Sequence, residues 1–169
     1  NYSLTTWIED YNRHYSERNM CLTGENDEIL GYVRTIWVVI DIENRTSVDI
    51  SQLSYIRENI SDRPCPIEKQ SRMRPITDGD WAKYRFRYTD LDFNQHVNTV
   101  RYVELLMNQC HIDYWTKKRL NRFEISFSKE CTFNQEVNLL LTDNNGDIRI
   151  DINDAVSGAN HCKARFVFV

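Results

Sequence analysis

The chain has 169 residues, 41% of them hydrophobic, enough for one ordinary domain or two small ones around a real core, which excludes a disordered or fibrous protein. A formal net charge of -4 and a pI near 5.6 argue against a general nucleic-acid binder, so an anionic partner has to be met by a local basic patch. No apolar run is long enough to span a membrane and no charged-then-apolar leader opens the chain, so a cytoplasmic address is expected.

Residues 1–50 read as β structure. "NYSLTTWIEDYN" is strand-like from its first residues and lacks an initiator Met, which anticipates further sequence upstream. "ILGYVRTIWVVIDI", 29–42, is rich in β-branched and aromatic residues, and the "GEND" before it supplies the turn of a hairpin following "RNMCL". In "SQLSYIRENIS", 51–61, Leu53, Ile56 and Ile60 fall at helical spacing behind a serine able to cap them, so a short helix is expected. Residues 62–80, "DRPCPIEKQSRMRPITDGD", hold all three prolines and no sustained period. They read as a linker between a domain at 1–61 and one at 81–169.

"WAKYRFRY" then alternates Tyr84, Phe86 and Tyr88 with Lys83, Arg85 and Arg87, the pattern of a half-buried strand. From Asn98, a plausible N-cap, Val100, Val103, Leu106, Met107 and Cys110 recur at three- and four-residue spacing. Arg101, Glu104, Asn108 and His111 gather opposite, which predicts one long amphipathic helix. Beyond "KKRLN" the chain returns to strands in "RFEISFSKEC", "EVNLLLT", "IRIDI" and "KARFVFV", with "DNNGD" as a turn, an antiparallel meander. A faint echo links "LTGENDEI", 22–29, to "LTDNNGDI", 141–148, and shared hairpin chemistry or duplication would each produce it.

Chemistry concentrates where the strand meets the helix. Asp92, Asn94 and His96 sit two apart, so in an extended loop they would project to one side, in a row begun by Asp90. The first turn of the following helix offers unpaired N–H groups and a positive dipole end. A carboxylate, an amide and an imidazole there could orient a water, polarise a carbonyl and move a proton, the roles an acyl-transfer or hydrolysis site needs. The plainer reading is that Asp and Asn build the turn and cap the helix while His96 bonds backbone. "DLDFN" copies the first ligand positions of a calcium loop, but Gln95 stands at its sixth position and Arg101 at its twelfth, which rules that out. Cys110 and His111, adjacent on a helix, point to different sides and make no zinc site. The five cysteines, Cys21, Cys65, Cys110, Cys131 and Cys162, are odd in number and without CxxC pairing, as reduced thiols would be.

"DLDFNQHVNTVRYVE", "RFEISFSKEC" and "RTIWVVIDIENR" together resemble the acyl-acyl carrier protein (ACP) thioesterases, plant and bacterial enzymes that release fatty acids from carrier protein. The resemblance implies an α+β fold of two hotdog domains in tandem, each a long helix wrapped by an antiparallel sheet, with the active site in the second. Family members begin with a strand and a long helix that this chain starts after, so the first hotdog would lack them. Carried over by position, Asp92, Asn94, His96 and Glu130 match the catalytic set, and Cys131 the cysteine beside its acid. If "RFEISFSKEC" is a regular strand, Cys131 shares parity with Phe123, Ile125 and Phe127 on the core face, and Glu130 with Glu124, Ser126 and Ser128. Glu130 is then the functional residue and Cys131 a packing one, because burial opposes thiolate formation.

The implied reaction is hydrolysis of a fatty acyl thioester by water. Glu130 and Asp92 would hold and activate the water, either one serving as base; His96 would relay a proton to the departing thiolate; Asn94 and backbone N–H groups would stabilise the oxyanion. The implied partner is acidic ACP bearing its acyl chain on a phosphopantetheine arm. It would dock on Lys117, Lys118, Arg119 and Arg122, or on Lys69, Arg72 and Arg74, although either cluster could equally be a solvated charged face. No cofactor or metal is implied, and a homodimer is a further expectation. Two alternatives stand beside this reading: a hotdog hydrolase of acyl-coenzyme A, and a hotdog protein that binds acyl chains without catalysis.

Overall fold

The computed structural model describes residues 1–44 and 46–169, so Arg45, which closes "RTIWVVIDIENR", lies outside the described residues. Two compact units result, Asn1–Gln70 and Ser71–Val169. The division falls inside 62–80, and no helix or strand occupies 61–79.

In the first unit β1 (Ser3–Tyr11), β2 (Ser16–Thr23) and β3 (Ile29–Trp37) form an antiparallel sheet with β2 central. The hairpin between β1 and β2 turns on Asn12, whose side-chain oxygen accepts from His14 N at 2.7 Å and Tyr15 N at 3.0 Å. Glu17 is buried in β2 and keeps its charge compensated by Arg34 at 3.1 Å and Lys69 at 2.8 Å. The helix expected over 51–61 is broken into a 3-10 turn, Ile50–Gln52, and α1 (Ser54–Glu58). Its cap is Asp49 rather than a serine, accepting from Ser51 N at 3.0 Å. Leu53 is extended between the two pieces, which lets both Ile50 and Ile56 bury against Ile8; packing overrides the helical period.

The second unit is a five-stranded antiparallel sheet built from β4 (Asp80–Arg85), β5 (Leu120–Phe127), β6 (Glu136–Asn144), β7 (Asp147–Asp154) and β8 (Asn160–Phe168), in the order β4-β6-β7-β8-β5. The turn between β6 and β7 is Asn145-Gly146, with φ of 53° and 99°, the left-handed pair that a two-residue hairpin needs. One face of the sheet, carrying Leu139, Ile150, Ile152 and Phe166, packs on α2 (Thr99–Met107). β4 ends at Arg85, so the expected row stops short: Phe86 is buried, but Tyr88 is exposed and opens a 3-10 turn, Tyr88–Asp90.

Asn98 caps α2 as expected, its side-chain oxygen accepting from Val100 N at 2.8 Å. The buried stripe differs from the expected one. Tyr102, Leu105, Leu106 and Cys110 face the sheet, while Val100 and Met107 remain 59% and 38% exposed. Tyr102 sets this rotation, its ring lying between Phe86 and Phe127 at centroid distances of 5.5 and 5.4 Å. The single long helix is also divided. The chain turns after Met107 and restarts as α3 (Ile112–Lys117), with His111 as N-cap rather than on the polar side of α2. Among the described residues, no helix is long and apolar enough to cross a membrane.

Candidate active site

The sheet order places β4 and β5 at opposite edges, so the chain crosses twice, from β4 through α2 to β5 and from β5 to β6. Antiparallel registers bring the ends of both strands to the same end of the sheet, where the connections 86–98 and 128–135 meet. They are joined by Phe86 N to Gln135 O at 3.1 Å, Asn134 N to Phe86 O at 3.1 Å and Val97 N to Cys131 O at 2.9 Å, and His96 bridges Thr132. Topology thus puts His96 beside the segment that carries Glu130.

The first connection is a tight turn and not the extended row expected from the spacing. Asp92 directs one carboxylate oxygen onto the loop backbone, accepting from Asn94 N at 2.8 Å and His96 N at 3.2 Å. Gln95 takes a left-handed φ of 67°, which the alternation of an extended loop excludes. Asp92, Asn94 and His96 therefore do not project in parallel: Asp92 folds inward, Asn94 lies on the exposed tip beside Phe93, and His96 is half-buried. Asp90 leaves the row as well, buried and accepting from Arg87 N at 2.7 Å and the Tyr84 hydroxyl at 3.1 Å.

In the second connection, β5 stops at Phe127, so strand parity does not extend to residues 130 and 131. Their side chains nevertheless part. Glu130 is 61% exposed and its Oε2 lies 3.4 Å from His96 Nε2, whereas Cys131 is 0% exposed and burial pushes its thiol up to about 11. Glu124, expected to share Glu130's polar face, is instead buried beneath Ser71, whose N–H and hydroxyl donate to it at 2.8 and 2.7 Å. Burial raises its pKa, but hydrogen bonds from Arg122 and Ser71 outweigh that and hold it at about 2.

The basic cluster separates in the same way. Lys117 pairs with Asp113 at 3.0 Å, Lys118 stands over the Tyr114 ring at 4.8 Å, and Arg119 is exposed. Arg122 is half-buried against Glu124 at 2.8 Å, so its charge is met within the chain. In the other set Lys69 belongs to the first unit and pairs with Glu17, while Arg72 and Arg74 belong to the second. Sequence reasoning passed over His161 and Gln135, which lie behind the Glu130 segment; single polar residues in a strand and a loop carry no spacing signal.

An imidazole and a carboxylate at this separation can share or pass a proton, whereas at the start of α2 the N–H groups of Val100, Arg101 and Tyr102 are already bonded to Asn98. The family model of the acyl-ACP thioesterase C-terminal domain matches residues 73–169. The chloroplastic palmitoyl-acyl carrier protein thioesterase of Cuphea hookeriana is 24% identical over 136 residues, covering 76% of this chain and 33% of that relative. The Arabidopsis thaliana protein of the same name is 23% identical over 145 residues, again with 33% of its length covered, so the chain spans about a third of these curated relatives. The crystal structure of an acyl-ACP thioesterase from Bacteroides thetaiotaomicron superposes with a TM-score of 0.90 at 28% identity, covering 99% of this chain and 68% of that one. The 12:0-ACP thioesterase from Umbellularia californica superposes with a TM-score of 0.79 at 20% identity over 99% of this chain and 67% of its own, a likeness of fold. The fold is α+β and of the hotdog type.

Proposed function

Because the chain belongs to the acyl-ACP thioesterase family, we propose that it hydrolyses fatty acyl-ACP thioesters to free fatty acid and holo-ACP in fatty acid biosynthesis, with the reaction carried out at the His96–Glu130 pair. A water held by Glu130 attacks the thioester carbonyl carbon. Its proton passes to the carboxylate as the new C–O bond forms. The tetrahedral oxyanion is stabilised by the Asn94 amide; the N–H groups of Val100, Arg101 and Tyr102 at the start of α2 already donate to Asn98. As the C–S bond breaks, His96 delivers a proton to the phosphopantetheine thiolate and recovers one from Glu130, which lies within reach at 3.4 Å.

Of the two acids, Glu130 suits the base better. One oxygen of Asp92 already accepts two backbone N–H groups, so Asp92 shapes the loop that presents Asn94 and His96. Cys131 is a packing residue in this mechanism, since a sealed thiol held near 11 has no thiolate to offer at neutral pH. The finer architecture belongs to the same reading: two hotdogs in tandem, in a cytoplasmic bacterial enzyme that forms a homodimer. Docking of acidic ACP falls to Lys117, Lys118 and Arg119, with Arg122 contributing less because Glu124 already neutralises it.

The 3.4 Å approach of Glu130 to His96 carries this reading. Glu130→Gln and His96→Ala in the full protein should each lower kcat on a saturated acyl-ACP by about a hundredfold or more while the fold is retained. Wild-type turnover in both variants would overturn it.

A further inference from the structure

We propose that His161 is a positioning residue for Glu130, holding the backbone on the N-terminal side of that acid through a hydrogen-bond chain that also contains Gln135 and Asp154. The inference rests on Glu130 acting in the reaction as described above.

His161 is the second residue of β8, is 1% exposed, and lies behind the connection 128–135. Its backbone carbonyl accepts from Ser128 N at 2.8 Å and Lys129 N at 3.3 Å. Its ring returns to the same segment, with Nδ1 3.1 Å from Lys129 O, 3.0 Å separating Nε2 from Gln135 Nε2 and 3.9 Å from Asp154 Oδ2. The proton arrangement follows from what each partner can do. A peptide carbonyl only accepts, so Nδ1 carries the hydrogen. Gln135 offers its side-chain oxygen to Thr132 N at 3.1 Å, which fixes the amide orientation. One of its N–H bonds goes to Asp154 Oδ2 at 2.8 Å. Asp154 is held ionised by the Ser157 backbone and side chain together with Gln135, and so only accepts. The second Gln135 N–H faces His161 Nε2, which is therefore the lone-pair nitrogen. Both ring nitrogens are satisfied in a single tautomer of a neutral imidazole, which is what makes its burial tolerable.

The result bears on Glu130 because the backbone on either side of it sets where its carboxylate starts from. Lys129 before it is held at both N–H and C=O by His161. Cys131 after it is held by its N–H to the Tyr102 hydroxyl at 2.9 Å and by its carbonyl to Val97 N at 2.9 Å. A hydrophobic residue at 161 would fill the space but leave the Lys129 carbonyl without its donor.

Kinetics on acyl-ACP with the full protein separate positioning from mere stability. An asparagine amide reproduces the Nδ1 donor, and a glutamine amide reaches the Nε2 position instead, so each variant loses one partner and the two should lower Tm similarly. His161→Gln is expected to reduce kcat by about tenfold or more with KM within about twofold, while His161→Asn stays within about threefold of wild-type kcat. Equal losses in the two variants, or no loss in His161→Gln while Glu130→Gln is inactive, would overturn the inference. An unimpaired Glu130→Gln would overturn the role of Glu130 itself and the inference with it. Should His161→Gln not fold, Gln135→Met, which removes the donor to His161 Nε2, is expected to lower kcat with KM kept; unchanged kcat would count against the proposal.

Discussion

Glu130 and Cys131 are neighbours in the chain and opposites in environment. The carboxylate is exposed beside His96, whereas the thiol is buried and the Cys131 backbone N–H donates to the Tyr102 hydroxyl. A buried thiol pays a desolvation cost to ionise, which pushes it up to about 11 and leaves it un-ionised at neutral pH. Two outcomes follow. Cys131→Ala should change kcat by less than about threefold, and the native protein should resist thiol alkylation at position 131 until it is unfolded, as mass spectrometry of alkylated peptides would show. Trapping an acyl group on Cys131 would contradict both. Asp92 illustrates the same dependence on surroundings: a carboxylate that looks reactive in a polar motif spends one oxygen closing its own loop.

The orientation of α2 is decided by its largest side chain. Tyr102 inserts between two aromatic rings, and Leu105 and Leu106 follow it into the core, leaving Val100 and Met107 outside. Leu106→Ala should therefore cost about 3 kcal/mol in urea unfolding and Met107→Ala less than about 1, and a larger loss from Met107→Ala would contradict this orientation. The stretch ahead of β4 is tied to the outer face of the sheet, through Ser71 on Glu124 and Ile76 N on Asp151 at 3.0 Å. Folding lowers the Glu124 pKa from 4.5 to about 2. A depressed carboxylate contributes stability above its unfolded value and loses it as the pH falls from about 4.5 towards 2. Glu124→Gln should flatten that part of the stability curve, and an unchanged acid slope would argue against the tie.

The chain as a whole is acidic, with a net charge of -4, so the proposed docking of an acidic carrier protein requires a local basic cluster. Lys117, Lys118 and Arg119 are exposed at the end of α3, where screening by salt acts strongly. With acyl-ACP as substrate, raising ionic strength should raise KM several-fold with little change in kcat, and Lys117→Glu combined with Lys118→Glu should do the same at low salt. A KM indifferent to both would remove these residues from the docking surface.

Strands, the Asn145-Gly146 turn and the Asn98 cap were legible in the residues alone because each depends on a local period or on a short-range backbone requirement. The cluster around Asp92, Asn94 and His96 was visible for the same reason, being contiguous, whereas Glu130 entered through family resemblance. The burial face of α2, its break before α3, the end of β5 and the inward fold of Asp92 were not legible. Each follows from which distant group a side chain meets: Tyr102 from two rings, Asp92 from a turn closed by a left-handed Gln95, His161 from a loop thirty-odd residues away. Those contacts exist only once the two crossovers have brought 86–98 and 128–135 to one end of the sheet, and no periodicity along a single segment encodes that meeting.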